Sequence, residues 1–126
     1  MQVKSLAACP EIIANDGCRL RELLHPDKDP ALITYSLAIA WVDPGQSTHP
    51  HALRQTEVYY IIRGNGIMHI GHEARDVGPG DAVVIPPGHA QWIENRSPTQ
   101  VLEFAAIVSP PWRAEDDRRV PMPGRG

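Results

Sequence analysis

The stretch "PGDAVVIPPGHAQWIEN", Pro79–Asn95, decides the fold. Gly80, Pro86 and Gly88 set three separate turns around the short β-branched run "AVVI". A further strand is predicted to start at Gln91. Working outward, "GIMHI" (Gly66–Ile70) and "EARDV" read as strands joined by a tight turn at Gly71. "EVYYII" (Glu57–Ile62) precedes a turn over Arg63–Asn65, and "VLEFAAIV" (Val101–Val108) closes the series. "CRLRELL" (Cys18–Leu24) opens it. "ITYSLAIAWV" (Ile33–Val42) alternates bulky odd positions with small even ones, which suits a strand covered on both faces. Thirteen prolines and ten glycines punctuate these runs, the grammar of an all-β chain. Eight short strands at close spacing predict a double-sheet barrel or jelly roll.

A chain of 126 residues predicts one domain. Its organisation reads as an arm over residues 1–15, a barrel over 16–108 and a Pro-rich, charged tail over 109–126, expected to lie irregularly on the surface. A net charge of −3 argues against a nucleic-acid partner, which calls for a basic face. No apolar run approaches the ~18 residues of a membrane span. "MQVKSLAACPEII" lacks the apolar core of a signal peptide, so a cytoplasmic location is expected. Cys9 and Cys18 are then reduced thiols, and their spacing matches no zinc signature.

Two spaced patterns carry a resemblance. Gly80, Pro86, Gly88, Gln91 and Asn95 follow the second motif of the cupins, G-x5-P-x-G-x2-H-x3-N, with Gln91 in place of the histidine. Gly45, His51, Glu57 and Gly64 follow the first, G-x5-H-x-H-x3,4-E-x6-G, with Leu53 at the second histidine and His49 extra to the pattern. Over Ile33–Val108 the chain resembles a small single-domain "cupin 2" protein. The resemblance implies a double-stranded β-helix, open at one mouth, in which the motif histidines and glutamate hold one divalent metal. The metal ligands it implies here are His49, His51, Glu57 and Gln91.

Side chains of equal parity share one face of a regular strand, and His49, His51, Leu53, Glu57, Tyr59 and Ile61 are all odd; a bulge between Ala52 and Thr56 would break that argument for Glu57. Two registers stay open. In one, His51 leads and Leu53 leaves a gap; in the other, His49 and His51 form the pair. Imidazole and carboxylate together suit Fe, Mn, Zn, Ni or Cu without choosing among them. Plainer roles stand beside these: His49 as a loop residue, Glu57 paired with Arg63 or Arg54, and Gln91 bonded to backbone at the barrel mouth. His69 is expected at the surface, His89 exposed in its turn, and His72 and His25 without a role. Tyr59, Met68, Trp92 and Phe104 are the expected walls of a small-molecule pocket.

Two functions remain in view. One is an enzyme of oxygenase- or isomerase-type chemistry, with Glu57 as ligand or general base. The other is a non-catalytic ligand-binding or sensing module, favoured by Leu53 and Gln91 at histidine positions. A phosphosugar substrate is disfavoured for want of a cationic anchor. A homodimer is expected, through "ITYSLAIAWV" or the N-terminal arm.

Overall fold

The computed structural model describes residues 1–29 and 33–123, and these form two antiparallel sheets packed face to face. In the six-stranded sheet the order is β1 (Ile12–Ile13), β2 (Arg19–Leu24), β3 (Ser36–Val42), β10 (Leu102–Ser109), β5 (Thr56–Arg63) and β8 (Ala82–Ile85). In the five-stranded sheet it is β11 (Asp117–Arg119), β4 (His51–Leu53), β9 (Gln91–Glu94), β6 (Gly66–Ile70) and β7 (Glu73–Val77). The arrangement is a jelly roll, as the strand spacing predicts.

The inner faces follow the period of two. Val42, Tyr59, Ile61, Ile85, Ile93, Leu102 and Phe104 are buried between the sheets. On β3 the small even residues point inward: Ser36, Ala40 and Val42 are buried, while Leu37, Ile39 and Trp41 are half-exposed on the outer face. Register pairs Ala106 of β10 with Ala38 of β3, so small side chains sit together on the inner wall. A cavity of about 250 Å³ opens beside them, lined in part by Ser36, Ala38, Ala40 and Ala106. Close packing elsewhere fills the interior; here the sequence withholds volume.

The two terminal segments are more ordered than their composition suggests. Within the arm, β1 pairs with β2 of the same chain. The Pro-rich tail supplies β11, which pairs with β4. Side chains far upstream anchor it: Ser36 Oγ accepts from Trp112 N at 3.0 Å, and Gln55 Nε2 donates to Asp116 Oδ2 at 2.8 Å. His25, which the sequence leaves without a role, is buried; it accepts from Asp27 N at Nδ1 and donates from Nε2 to the Trp112 carbonyl at 2.8 Å. A polar tail becomes a strand because buried partners wait for its backbone.

The motif residues that carry no chemistry shape the turns. Asn95, 2% exposed, donates to the carbonyls of Val42 and Gln100 and accepts from Ser97 N, tying the end of β9 to β3. Gly64 has φ +81°, and a Cβ there would lie 2.5 Å from the Val101 carbonyl oxygen. Gly45 has φ +73° with nothing within 4 Å. Gly64→Ala is therefore expected to destabilise by about 2–4 kcal/mol, strain plus overlap, and Gly45→Ala by only about 1 kcal/mol. Urea denaturation of the two variants checks the contrast; equal losses would refute it.

Candidate functional site

His51, Glu57 and Gln91 converge on the interior by a route the parity argument does not describe. β4 and β5 lie in different sheets, and the chain crosses between them at Arg54 and Gln55. His51 points inward from one sheet and Glu57 from the other. Gln91 stands directly across from His51 on β9. His51 and Glu57 are each 5% exposed and Gln91 1%. His51, Leu53, Glu57, Tyr59 and Phe104 all line the cavity. Tyr59 and Phe104 pack together with ring centroids 4.3 Å apart.

Three expected residues lie elsewhere. The His49 ring is exposed, beside Arg119 and Val120 in a surface groove, because β4 begins only at His51. Trp92 follows Gln91 on the same strand, so alternation turns it to the outer face, where it stacks on the half-buried His69 at 4.4 Å. Met68 points inward but belongs to the packed core and does not line the cavity. The pocket walls are thus Tyr59 and Phe104, without Met68 or Trp92. His89 is exposed, as expected. Among the described residues no arginine neutralises Glu57: Arg63 pairs with Glu103 and Arg54 with Asp116.

Two aspartates complete the site, one from each terminal segment. His51 Nδ1 donates to Asp117 Oδ1 at 2.9 Å. Asp117 is itself fixed by Asn15 Nδ2 at 2.9 Å and Trp112 Nε1 at 3.0 Å. On the other side of the ring, His51 Nε2 lies 3.5 Å from Asp16 Oδ2. Asp16 is 5% exposed and accepts from Cys18 N through its other oxygen. Neither aspartate carried a signal in the sequence. Each is one polar residue in a polar segment, and only the fold brings it to His51.

Charge in this enclosure is strongly coupled. Burial opposes protonation of His51, but its hydrogen bond to Asp117 and the negative charges of Asp16 and Asp117 outweigh that, and its pKa is raised. Burial would raise the Asp117 carboxyl; the hydrogen bonds from His51, Asn15 and Trp112 hold it below its ordinary value. Burial pushes Glu57 up to about 8, against the opposing pull of His51 and the Gln91 amide. Cys18, also in the cavity wall, is driven well above the ordinary thiol range by burial and Asp16, so it is an inert thiol.

Four buried polar atoms here lack a hydrogen-bond partner: His51 Nε2, Glu57 Oε1 and both amide atoms of Gln91. Such atoms are costly unless a ligand or water meets them. As a metal centre the donor set is thin. Leu53 offers no donor, Gln91 offers a neutral amide, and among the described residues no three of His, Cys, Asp or Glu are grouped to hold a cation. The residues present do not fit a full four-ligand centre.

A double-sheet barrel with a polar cavity between its sheets is the architecture of the cupins. The chain belongs to that family: the Cupin_2 model, a cupin domain, matches residues 39–108. An uncharacterised protein from Methanocaldococcus jannaschii is 38% identical over 106 residues, 82% of each chain. Among solved structures, the polyketide cyclase RemF from Streptomyces resistomycificus superposes with a TM-score of 0.78 at 21% identity, covering 98% of this chain and 88% of its own. The nucleoside dehydratase Pac13 gives 0.74 at 16% identity, covering 98% and 94%. No helix of the described residues is long and apolar enough to cross a membrane.

The titrations fix a pH dependence of stability. Glu57 rises from 4.5 to about 8 on folding, so the unfolded chain releases this proton first and stability falls as pH climbs through that interval. His51 acts in the same direction: its raised pKa gives stability that is full below 6.5 and lost as pH rises through the folded value. Asp117 acts oppositely, its contribution lost as pH falls below about 3.8. Thermal unfolding is expected to show greatest stability at about pH 4–4.5 and a decline from there toward pH 9. Glu57→Gln should flatten that decline and raise Tm at pH 9; an unchanged profile would contradict the burial of an ionisable Glu57.

Proposed function

We propose that this cupin is an enzyme that moves protons on a small organic molecule, chemistry of the isomerase type. The observation that carries the reading is the His51 ring, held through Nδ1 by Asp117 while Nε2 stays unpaired in the cavity. A carboxylate so placed fixes the tautomer and leaves Nε2 as the reactive atom. Glu57 supplies the complementary group, a carboxyl that keeps its proton near neutrality. An imidazole with one nitrogen free, beside a carboxyl that keeps its proton, is an arrangement that general acid–base catalysis can use. His51 Nε2 takes a proton from a substrate C–H or O–H. The carboxyl of Glu57 returns one to another atom of the substrate. Asp16, 3.5 Å from Nε2, stabilises the imidazolium formed in between. Cyclisation and dehydration, named for two fold neighbours, are also built from proton transfers, but the likeness to them is one of fold.

The same unpaired atoms give a second reading, a divalent cation shared by His51, Glu57 and Gln91, with oxygenase chemistry or simple ligand sensing as the outcome. Leu53 at a histidine position and the neutral amide of Gln91 weigh against it. A cytoplasmic setting and a homodimer complete the proposal. β3 is flanked by β2 and β10, so it can offer a partner only its face. That outer face continues into Tyr60, Ile62 and Val84, which are 46%, 41% and 64% exposed. Apolar side chains clustered on one sheet face are what a second copy would cover.

Three experiments test this. Enolisable carbonyl compounds incubated with the protein in D2O should exchange hydrogen, read by NMR, and His51→Asn or Glu57→Gln should slow exchange by about 10²-fold or more. Protein purified without added metal should carry well under one equivalent, with exchange indifferent to chelator. A full equivalent, lost in His51→Ala, would put the cation reading first. Light scattering should give a dimer that Ile62→Lys converts to monomer; a wild-type monomer at micromolar concentration overturns that assignment.

A further inference from the structure

We infer that the cavity selects small organic cations, an amine or ammonium on an apolar body, over anions of the same shape. The inference rests on reading this cavity as the reactive site and names its substrate class. Four carboxyl groups line it, from Asp16, Glu22, Glu57 and Asp117, and among the described residues no lysine or arginine does. Glu22 is already answered by Lys28 at 2.7 Å, outside the cavity. Asp16 and Asp117 have only His51 between them, so at least one negative charge stays uncompensated whichever form the ring takes. The unpaired Oε1 of Glu57, on a side chain 5% exposed, adds an acceptor aimed into the same space.

The nearby cations are engaged elsewhere. Arg19 is held by Glu11 and Asp43, Arg21 by the carbonyls of Leu6 and Ala7, and Arg119 by the carbonyl of Asn15. An entering carboxylate or phosphate would meet like charge and, among the described residues, no lysine or arginine to answer its own. A cation would meet Asp16, and its apolar body would meet Tyr59, Phe104 and Trp112, whose ring faces also favour positive charge. Asp16 and Asp117 both lie outside residues 39–108, so the charge preference comes from the terminal segments and not from the shared barrel.

The test uses the whole chain at pH 7 and three probes of one shape: 2-phenylethylamine, 2-phenylethanol and 3-phenylpropionate. Titration followed by protein NMR should place the amine at least about tenfold tighter than the alcohol, with the carboxylate weakest. Asp16→Asn should weaken the amine about fivefold or more and leave the alcohol unchanged. Equal or tighter binding of the alcohol or carboxylate, or binding of none, overturns the inference; this ranking needs no variant. The failures separate cleanly. Amine preference without deuterium exchange keeps the cation pocket and sinks the proton-transfer reading, and exchange without amine preference does the reverse.

Discussion

The hydrogen bond from His51 to Asp117 joins the fold to its chemistry. It runs from β4 to β11, so it helps fasten the C-terminal segment to the sheet. It also settles which imidazole nitrogen keeps its proton. Trp112 and Asn15 hold the carboxylate from two further directions, which leaves Asp117 little freedom to follow the ring. A buried ion pair of this kind is weak evidence for stability, because desolvation offsets attraction. Its value lies in geometry. A ring pinned through one nitrogen presents the other to the cavity in a fixed direction, and pre-organisation of that sort is what separates a reactive histidine from a packed one.

The cavity that receives the other nitrogen comes from what the strands leave out. β3 and β10 present Ser36, Ala38, Ala40 and Ala106 where larger side chains would fill the space between the sheets. The missing volume costs packing energy, of the order found for cavities in other cores, about 24 cal/mol per Å³ of unfilled space. The bulky residues of β3 are spent on the outer face instead, where Leu37, Ile39 and Trp41 are only half-covered. The inward alanines therefore read as deliberate room.

Much of this was legible in the sequence, and the failures follow a pattern. Strands of four or more residues with alternating side chains declared themselves, and the turn glycines marked their ends. β1, β4 and β11 have two or three residues each, too short to show a period, and "DRR" has no apolar member. His51, Glu57 and Gln91 were readable because each falls on a position of the two motifs that carry the resemblance. The sequence reading sets Trp92 in the pocket although alternation excludes it: once Gln91 points inward, its neighbour cannot. Asp16 and Asp117 were not readable, since their contact with His51 depends on the path of the whole chain, 66 residues in the second case. His49 shared the parity of His51, but parity has meaning only inside a strand, and the strand had not yet begun.

The departures from the motif and the added aspartates explain one another. A carboxylate as deeply buried as Glu57 stays ionised only if a fixed positive charge stands beside it. With Leu53 and Gln91 in place of two imidazoles, two motif donors are missing, and burial pushes the Glu57 carboxyl up to about 8. On the proposed reading, the substitutions that remove ligands turn the remaining carboxyl into a proton donor. The lone imidazole then needs its own orienting group, and the C-terminal segment delivers Asp117 to it. The charge that made a metal welcome is not lost but relocated, to Asp16 and Asp117 on either side of one ring. A mobile organic cation can answer the surplus that a resident metal would otherwise have met.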